Sequence, residues 1–126
     1  MNLNQVTLPV VDIDKANAFY LLMGFTQIVK TEHYSRFECP NGASFSLLLT
    51  DEYANNAATL YFESDNLESW INTLKSKGIK FNTALTKQRY LWSEASLEDP
   101  SGNKIKLYYA GENRLNPPWR VNITHE

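Results

Sequence analysis

Histidine and cysteine residues, which could bind a metal or transfer a proton, are few and scattered in this chain of 126 residues. Two histidines, His33 and His125, and one cysteine, Cys39, form no His-x-His, Cys-x-x-Cys or His-Glu-x-x-His motif. His33 and Glu94 supply one nitrogen and one carboxylate, fewer donors than a catalytic divalent metal needs, and His125 lies where chain ends fray. The sequence therefore predicts no metal site from these residues, and we interpret His33 as a solvated surface side chain.

The composition is that of a single folded domain. Hydrophobic residues make up 43% of the chain and aromatic residues 13%, enough to bury a core. The net charge of −2 comes from interspersed signs, which predicts no nucleic-acid partner and no membrane surface. No apolar run has the length of a membrane span or a signal peptide, and Cys39 has no partner for an internal disulfide. A cytoplasmic location is therefore the default expectation, with export of the folded chain left open.

Two similar turns show that part of the sequence is repeated. Proline takes the second position and glycine the fourth in CPNG at 39–42 and in DPSG at 99–102, which suits a type I turn. Strand-like segments rich in aromatic and branched residues flank both turns, for example ASFSLLLT after the first and NKIKLYYA after the second. Each turn is therefore predicted to connect the two strands of a hairpin.

The repeat extends upstream of the turns. NQVTLPVVDIDKANAFYLLMGF at 4–25 aligns with ATLYFESDNLESWINTLKSKGI at 58–79. In each segment a short strand leads into a helix, which ends at Gly24 or Gly78. Extra residues in the second copy fall between its second and third strands, around TALTKQRY at 83–90. The chain is thus predicted to contain two βαβββ modules, each too small to bury its sheet and helix well alone.

The second predicted helix carries the clearest local signals. Asp65 and Glu68 have the spacing of a capping box. Apolar residues recur on one face of the helix, at Leu67, Trp70, Ile71 and Leu74. We interpret this face, including its tryptophan, as core packing.

The paired modules, the segment VTLPVVDIDKANAFYLLMGF and the segment DPSGNKIKLY resemble the vicinal oxygen chelate superfamily, the group of glyoxalase I, extradiol dioxygenases and bleomycin resistance proteins. The resemblance covers about residues 3–110. It implies an α+β fold in which the curved mixed sheets of two βαβββ modules pair to form a ligand cleft. We therefore expect a single domain over 1–126, with module one at about 1–52, module two at about 56–110 and a C-terminal tail at 111–126.

In the metal-dependent members that this chain resembles, the first and last strands of each module supply the metal ligands. The corresponding positions here are Gln5 and Thr59 in the first strands, and Ser46 and Lys106 in the last strands. This set contains an amide, two hydroxyls and an ammonium, whereas a catalytic divalent metal needs about three nitrogen, thiolate or carboxylate donors. Lys106 counts most against a metal, because a protonated amine has no lone pair and repels a cation. We therefore expect no metal and no cofactor.

Alternate residues of a strand face opposite sides of a sheet, so the family's ligand positions predict which side chains line the cleft. The residues facing the helices would then be mostly apolar: Val6, Leu8, Phe45, Leu47, Leu60, Phe62, Leu91, Ser93, Ala95, Leu97, Ile105 and Leu107. The predicted ligand-binding residues are Gln5, Tyr34, Arg36, Ser46, Leu48, Thr59, Tyr61, Trp92, Glu94, Lys106 and Tyr108, with Tyr90 and Ser96 on the same side. An aromatic cleft with a few charged anchors suits a small organic molecule.

Each of these residues also has a purely structural interpretation. The aromatic side chains could fill space or stabilise cross-strand pairs, and Glu94 with Lys106 could form a structural ion pair. Alternatively, Lys106 could hold an anionic group of a ligand, or act as a base if desolvation lowers its pKa. No catalytic residue is assigned.

The tail AGENRLNPPWRVNITHE has no counterpart after the first module. Pro117 and Pro118 favour an extended segment, and Trp119 and Arg120 are large side chains to leave in solvent. One expectation is a strap that packs Trp119 on the exterior of a sheet. The other is a segment that folds over the mouth of the cleft or onto a second subunit, with Arg114 and Arg120 as anion contacts.

Three functions follow from these expectations. The preferred one is a metal-independent protein that sequesters an aromatic or amphipathic ligand, as a homodimer like the resistance proteins it resembles. The second is a glyoxalase- or dioxygenase-like enzyme with an atypical metal site, because those reactions use a metal to bind vicinal oxygens. The third is a metal-free enzyme with Glu94 as general acid or base.

Overall fold

The computed structural model describes residues 1–52 and 56–125. The described residues of Met1–Thr59 and Glu98–Ile105 form one compact unit, and those of Leu60–Leu97 and Lys106–Glu126 form another. The last residue of the predicted tail, Glu126, lies outside the described residues. The division into one domain with two modules and a tail stays a prediction.

The order of helices and strands is that of two βαβββ modules, as predicted. The elements of the first are β1 (Gln5–Val10), α1 (Ile13–Leu22), β2 (Thr26–Lys30), β3 (Tyr34–Glu38) and β4 (Ser44–Leu49). The elements of the second are β5 (Thr59–Glu63), α2 (Leu67–Ser76), β6 (Thr86–Lys87), β7 (Ser93–Glu98) and β8 (Lys104–Tyr109), followed by a 3₁₀ helix at Gly111–Arg114. Among the described residues, no helix is long and apolar enough to cross a membrane.

Each module forms its own four-stranded sheet. The strand orders are β1-β4-β3-β2 and β5-β8-β7-β6, so the first strand of each module lies beside the last. In the first sheet β1 runs parallel to β4, whereas β3 is antiparallel to both β2 and β4. The α+β class with mixed sheets is therefore confirmed.

The core of the first unit is aromatic. The Tyr20 ring of α1 lies 5.0 Å from the ring of Phe45 and 5.8 Å from that of Phe37, and the rings of Phe37 and Phe45 stack. These three side chains are fully buried. Val6, predicted to face the helix, is 36% exposed, because it lies near the start of β1 at the edge of the sheet.

The helix ends follow local signals, with one exception. The Asp12 carboxylate caps α1 by accepting a hydrogen bond from the backbone nitrogen of Lys15 at 3.0 Å. The capping box predicted for α2 is wrong, because Asn66 takes the N-cap position and makes no side-chain cap bond. Asp65 therefore lies one residue before the cap, and Glu68 lies too early to complete the box. The predicted apolar face is buried at Leu67, Ile71 and Leu74, with Trp70 half-buried.

The two repeated turns have the same backbone bonds but different surroundings. The backbone nitrogen of Gly42 donates to the Cys39 carbonyl, and that of Gly102 to the Asp99 carbonyl, each at 3.0 Å. Both hairpin predictions are therefore confirmed. The first turn is largely exposed, whereas Asp99 and Ser101 of the second turn are buried.

The buried turn is held within the first unit by the Asp99 carboxylate. Its Oδ2 accepts hydrogen bonds from the Tyr20 hydroxyl at 2.7 Å and from Asn103 Nδ2 at 2.9 Å. Its Oδ1 accepts the backbone nitrogens of Ser101 and Asn103, each at 2.9 Å. Four donors thus satisfy a carboxylate that is 4% exposed.

The second strand of the second module is short and lies within the inserted stretch at 83–90. This strand, β6, pairs with β7, so Thr86 lies opposite Glu94. A turn follows, in which Leu91 has a φ of +70° and its backbone nitrogen donates to the Gln88 carbonyl at 3.0 Å. The expectation that Tyr90, Leu91 and Trp92 lie on a strand is therefore wrong, because the chain reverses there and β7 begins at Ser93.

Candidate functional site

The predicted site residues form two side-chain clusters, one on each sheet. On the first sheet a polar cluster comprises Gln5, Tyr34, Arg36, Ser44 and Ser46. On the second sheet an aromatic platform comprises Tyr61, Tyr90, Trp92 and Tyr108, beside the charged pair Glu94 and Lys106. Leu48 and Thr59 are joined to neither cluster by a hydrogen bond or ring contact among the described residues.

The polar cluster is linked by short hydrogen bonds. Gln5 Nε2 donates to Ser46 Oγ at 2.7 Å, and Ser46 Oγ lies 2.5 Å from the Tyr34 hydroxyl oxygen. Arg36 donates to the same Tyr34 oxygen from Nη2 at 2.9 Å and from Nε at 3.1 Å. The strand register explains the arrangement, since Arg36 of β3 lies opposite Ser46 of β4. The hydrogen bonds from Ser46 and then Arg36 lower the pKa of Tyr34, against a smaller effect of desolvation.

The aromatic platform is a continuous set of ring contacts. The rings of Trp92 and Tyr108 stack with centroids 4.8 Å apart. Tyr61 meets both edge to face, at 5.8 Å from Trp92 and 5.4 Å from Tyr108. Tyr90 meets Trp92 edge to face at 5.9 Å. Tyr61 and Tyr90 remain more than 40% exposed, so the platform presents aromatic surface that a planar ligand could contact.

A partly buried ion pair lies beside the platform, with the Lys106 side chain 31% exposed and the Glu94 side chain 6% exposed. Lys106 Nζ lies 2.9 Å from Glu94 Oε1, and the Tyr90 hydroxyl donates to the same oxygen at 2.6 Å. The Lys106 ammonium also lies 5.7 Å from the centroid of the Tyr61 ring, within the range of a cation–π contact. Glu94 is 6% exposed, and its Oε2 has no hydrogen-bond partner among the described residues.

The pKa values of Lys106, Tyr90 and Tyr108 are all raised. The hydrogen bond to Glu94 raises the pKa of Lys106, with desolvation opposing it. The hydrogen bond to Glu94 also raises the pKa of Tyr90, and burial raises that of Tyr108. The pKa of Lys106 is therefore shifted upward and not downward, which weighs against the alternative in which desolvation makes this residue a base.

The residues at the family's metal positions do not fit a divalent metal. Gln5 and Ser46 are hydrogen-bonded to each other, and Lys106 is an ammonium paired with Glu94. Within residues 1–52 and 56–125, no three His, Cys, Asp or Glu side chains lie close enough together to hold a metal ion. Neutral oxygens already in hydrogen bonds and a fixed positive charge make a poor site for a cation.

Sequence reasoning missed two residues of these clusters. Tyr90 shares the predicted side of its segment but was left out of the ligand-binding set, and it reaches Glu94 only because the turn at Leu91 reverses the chain. Ser44 lies two residues before Ser46 on β4, and its hydroxyl donates to Gln5 Oε1. The period-two rule that selected Ser46 also points to Ser44, so this residue could have been found.

The tail begins with contacts to the second unit and ends exposed. Glu63 Oε2 accepts the backbone nitrogens of Ala110 at 2.8 Å and Gly111 at 3.0 Å. Trp92 Nε1 donates to the Asn113 carbonyl at 3.3 Å. Trp119 remains 56% exposed, which weighs against the expected strap that packs its ring on a sheet.

A shallow concave surface also lies along the polar side of α2. It is lined by Asn66, Glu68, Ser69, Asn72, Thr73 and Ser76. These side chains offer no aromatic ring and little apolar area, so the surface lacks what a buried small-molecule site requires.

Comparisons with known proteins agree with this fold. The family model of the Glyoxalase/Bleomycin resistance protein/Dioxygenase superfamily matches residues 2–107. A comparison with curated protein sequences finds no match.

Several solved structures share the fold. A glyoxalase/bleomycin resistance protein/dioxygenase from Nocardioides is 16% identical with a TM-score of 0.77, covering 97% of this chain and 90% of its own. A bleomycin-binding protein complexed with bleomycin is 19% identical with a TM-score of 0.73, and the match covers 86% of this chain and 98% of that protein's chain. A lactoylglutathione lyase from Agrobacterium tumefaciens is 18% identical with a TM-score of 0.72, and the match covers 86% of this chain and 92% of that protein's chain. At these identities the likeness concerns the fold, which hosts many activities.

Proposed function

This chain belongs to the Glyoxalase/Bleomycin resistance protein/Dioxygenase superfamily, and on that premise we propose that it is a metal-independent protein that binds a small aromatic or amphipathic molecule. The aromatic platform is the observation that carries the proposal. Its stacked and edge-to-face rings offer apolar surface to a planar ligand, and the neighbouring charges offer polar anchors. A bleomycin-binding protein of the same fold supports small-molecule binding as the activity.

The platform residues have separate roles in this proposal. Tyr61 and Tyr90 carry the exposed aromatic surface and contact the ligand, whereas Trp92 and Tyr108 support them from a less exposed position. Lys106 uses one direction of its ammonium for Glu94 and keeps other N–H groups for an acceptor on the ligand. Glu94 holds Lys106 and Tyr90 in place by accepting from both through one oxygen.

The polar cluster, Leu48 and Thr59 complete the predicted set of ligand-binding residues in this proposal. Leu48 is 47% exposed on β4 and lies opposite Tyr34, where it offers apolar surface beside the polar cluster. Thr59 is half-buried at the start of β5. We further propose a homodimer in the cytoplasm, for which the resemblance to resistance proteins and the lone Cys39 are the support.

A thermal-shift screen of aromatic metabolites and antibiotics tests the proposal. A ligand at a hundred times its Kd stabilises the folded chain by about 2.7 kcal/mol, which the screen detects readily. Calorimetric titration of each hit then compares Tyr61→Ala with Tyr109→Ala, since both tyrosines are 44% exposed and only Tyr61 belongs to the platform. We expect Tyr61→Ala to weaken binding about tenfold, or about 1.4 kcal/mol, and Tyr109→Ala to leave it unchanged. Equal effects of the two substitutions would remove the platform from the proposal.

A metal-free enzyme with Glu94 as general acid or base is the second candidate. The observation that favours it is Oε2 of Glu94, a buried carboxylate oxygen without a partner among the described residues. A lactoylglutathione lyase shares the fold, so a related reaction is a reasonable assay. Turnover of a screened ligand that Glu94→Gln abolishes, while binding persists, would favour this candidate over a pure binding protein.

A further inference from the structure

Two cationic residues of this chain are partly withdrawn from solvent. Of the 12 lysines and arginines, all of which lie within the described ranges, Arg36 and Lys106 are half-buried and the others are exposed. Lys106 has the Glu94 carboxylate at 2.9 Å, whereas no carboxylate of the described residues forms an ion pair with Arg36. Withdrawing a charge from water without a counter-ion is unfavourable, so Arg36 is the cation that an anionic group would stabilise.

The guanidinium group of Arg36 is oriented by Tyr34. Its Nε and Nη2 atoms donate to the Tyr34 hydroxyl oxygen at 3.1 Å and 2.9 Å. These two bonds use both lone pairs of the phenol oxygen, so the phenol proton goes to Ser46 Oγ at 2.5 Å. A neutral Tyr34 thus fixes the direction of the guanidinium and leaves its charge uncompensated.

Part of the Arg36 guanidinium keeps its donors free. A guanidinium has five N–H groups, and Tyr34 takes one from Nε and one from Nη2. The two on Nη1 and the second on Nη2 make no hydrogen bond within residues 1–52 and 56–125. The edge between Nη1 and Nη2 matches the two oxygens of a carboxylate in a bidentate pair. A single guanidinium also balances one negative charge, which favours a carboxylate over a doubly charged phosphate.

The strands beside Arg36 place no charge next to it. The register puts Val29 of β2 and Ser46 of β4 opposite Arg36, and Thr7 of β1 beside Ser46. Glu38, two residues further along β3, lies on the same side by strand alternation. It is exposed and forms no ion pair with Arg36. An anion on Arg36 therefore meets one like charge, at an exposed position where salt screens it.

Apolar surface lies close to Arg36 on the same side of the sheet. Leu48 of β4 lies opposite Tyr34 and is 47% exposed. Tyr34 and Arg36 are two residues apart on one strand, which corresponds to about 7 Å. A ligand with an anionic group on Arg36 can therefore place an apolar body on Leu48.

We propose that the first sheet binds an amphipathic carboxylate, with the Nη1–Nη2 edge of Arg36 as the bidentate partner of the carboxylate group. Tyr34 is a positioning residue that holds the guanidinium, and Leu48 contacts the apolar body of the ligand. This inference rests on the proposed small-molecule binding and names the ligand class, which the aromatic platform alone does not select. The carboxylate site and the platform have no residue in common, so variants can test them separately.

Calorimetric titration with a matched pair of probes tests the proposal. The wild-type chain should bind 3-phenylpropanoate about tenfold more tightly than the neutral 3-phenylpropanamide, which has nearly the same shape. Arg36→Gln should weaken binding of the acid about tenfold and leave binding of the amide unchanged. Arg89→Gln removes the same charge at an exposed arginine and should change neither. Failure of the wild-type chain to bind the acid, equal affinity for acid and amide, or tighter binding of inorganic phosphate would overturn the proposal.

Further variants test the geometry of the guanidinium. Arg36→Lys keeps the charge without the planar fork, and Tyr34→Phe keeps the ring without the acceptor. Each should weaken binding of the acid several-fold and leave binding of the amide unchanged, which a general loss of structure would not do. Glu38→Gln should strengthen binding of the acid, because it removes the like charge. Circular dichroism checks folding, and if Arg36→Gln does not fold, Arg36→Lys and Glu38→Gln replace it. Wild-type affinity for the acid in Arg36→Lys would refute the bidentate pair.

Tyr61→Ala separates this inference from the role of the aromatic platform. Binding of the acid that Arg36→Gln weakens and Tyr61→Ala does not would keep the carboxylate site and remove the platform from the proposed function. Binding that Tyr61→Ala weakens and Arg36→Gln does not would overturn the carboxylate site and keep the platform. Losses in both variants would support both, and a loss in neither would overturn both.

Discussion

Lys106 Nζ lies 2.9 Å from Oε1 of Glu94, so the cation at the family's last-strand ligand position is paired within its own sheet. The sequence left open whether Lys106 would bind Glu94 or an anionic ligand. The pairing explains how Glu94 can be buried, because an uncompensated carboxylate in that position would be costly. It also shows why a divalent metal is a poor fit there, since the carboxylate already has a cation.

Loss of the cation should destabilise the fold. Lys106→Met removes the partner of a carboxylate that is 6% exposed, and we expect the free energy of unfolding to fall by about 3 kcal/mol. Urea denaturation measures this change. The matched control is the double variant Lys106→Met with Glu94→Gln, which removes both charges and should recover most of the loss. A single variant as stable as the wild type would show that the pair has no structural role.

The contribution of the ion pair should depend on pH with a known sign. The hydrogen bond to Glu94 raises the pKa of Lys106 in the folded chain, so folding favours the protonated amine. The stabilisation is therefore fully present below the unfolded pKa of about 10.4 and is lost as pH rises through the raised folded value. The difference in unfolding free energy between wild type and Lys106→Met should be flat near neutral pH and shrink in strong alkali. A difference that stays constant through strong alkali would contradict this assignment.

The second repeated turn should be far more sensitive to substitution than the first. Asp99→Ala leaves four donors without their carboxylate, including the Tyr20 hydroxyl. We expect a loss of about 3 kcal/mol in unfolding free energy by chemical denaturation. Cys39→Ala changes the equivalent position of the first turn, which is only partly buried, and should cost less than about 1 kcal/mol. Similar losses for the two variants would mean that the buried hydrogen bonds do not stabilise the turn.

Metal removal should have no effect. A donor set of one amide, two hydroxyls and an ammonium does not fit a divalent cation, so treatment with a chelator should change neither the melting temperature nor the affinity for a screened ligand. Elemental analysis of the purified chain is the direct measurement. Stoichiometric zinc, nickel or iron would contradict the metal-independent proposal.

The two parts of the tail should differ in importance. A chain that ends at Asn116 keeps the carbonyl of Asn113 that bonds Trp92 and the backbone nitrogen of Gly111 that bonds Glu63. We expect it to bind a screened ligand like the full chain. A chain that ends at Ala110 loses both contacts and should melt at a lower temperature, by a few degrees per kcal/mol. Equal melting of the two truncated chains would show that the first part of the tail does not support the platform.

The sequence by itself determined the order of elements, the two hairpin turns and the C-terminal ends of the two helices. Proline and glycine at 39–42 and 99–102 specify the turns, and Gly24 and Gly78, with φ of +103° and +90°, follow the two helices. These features depend on the backbone preferences of single residues and on neighbours a few positions away. Period-two alternation also indicated correctly that Tyr61, Glu94, Lys106 and Tyr108 share a side of the second sheet.

Only the tertiary structure decided which of these side chains are partners. Tyr90 reaches Glu94 because Leu91 adopts a positive φ. Leucine rarely has a positive φ, so the sequence does not predict this turn. Asp99 is buried in one copy of a turn whose other copy is exposed, because Tyr20 and Asn103 are there to donate to it. Such contacts depend on strand register and on residues distant in the chain, whereas turn and helix signals act locally. The same physical reason separates the fold, which was predictable, from the chemistry of its two clusters, which was not.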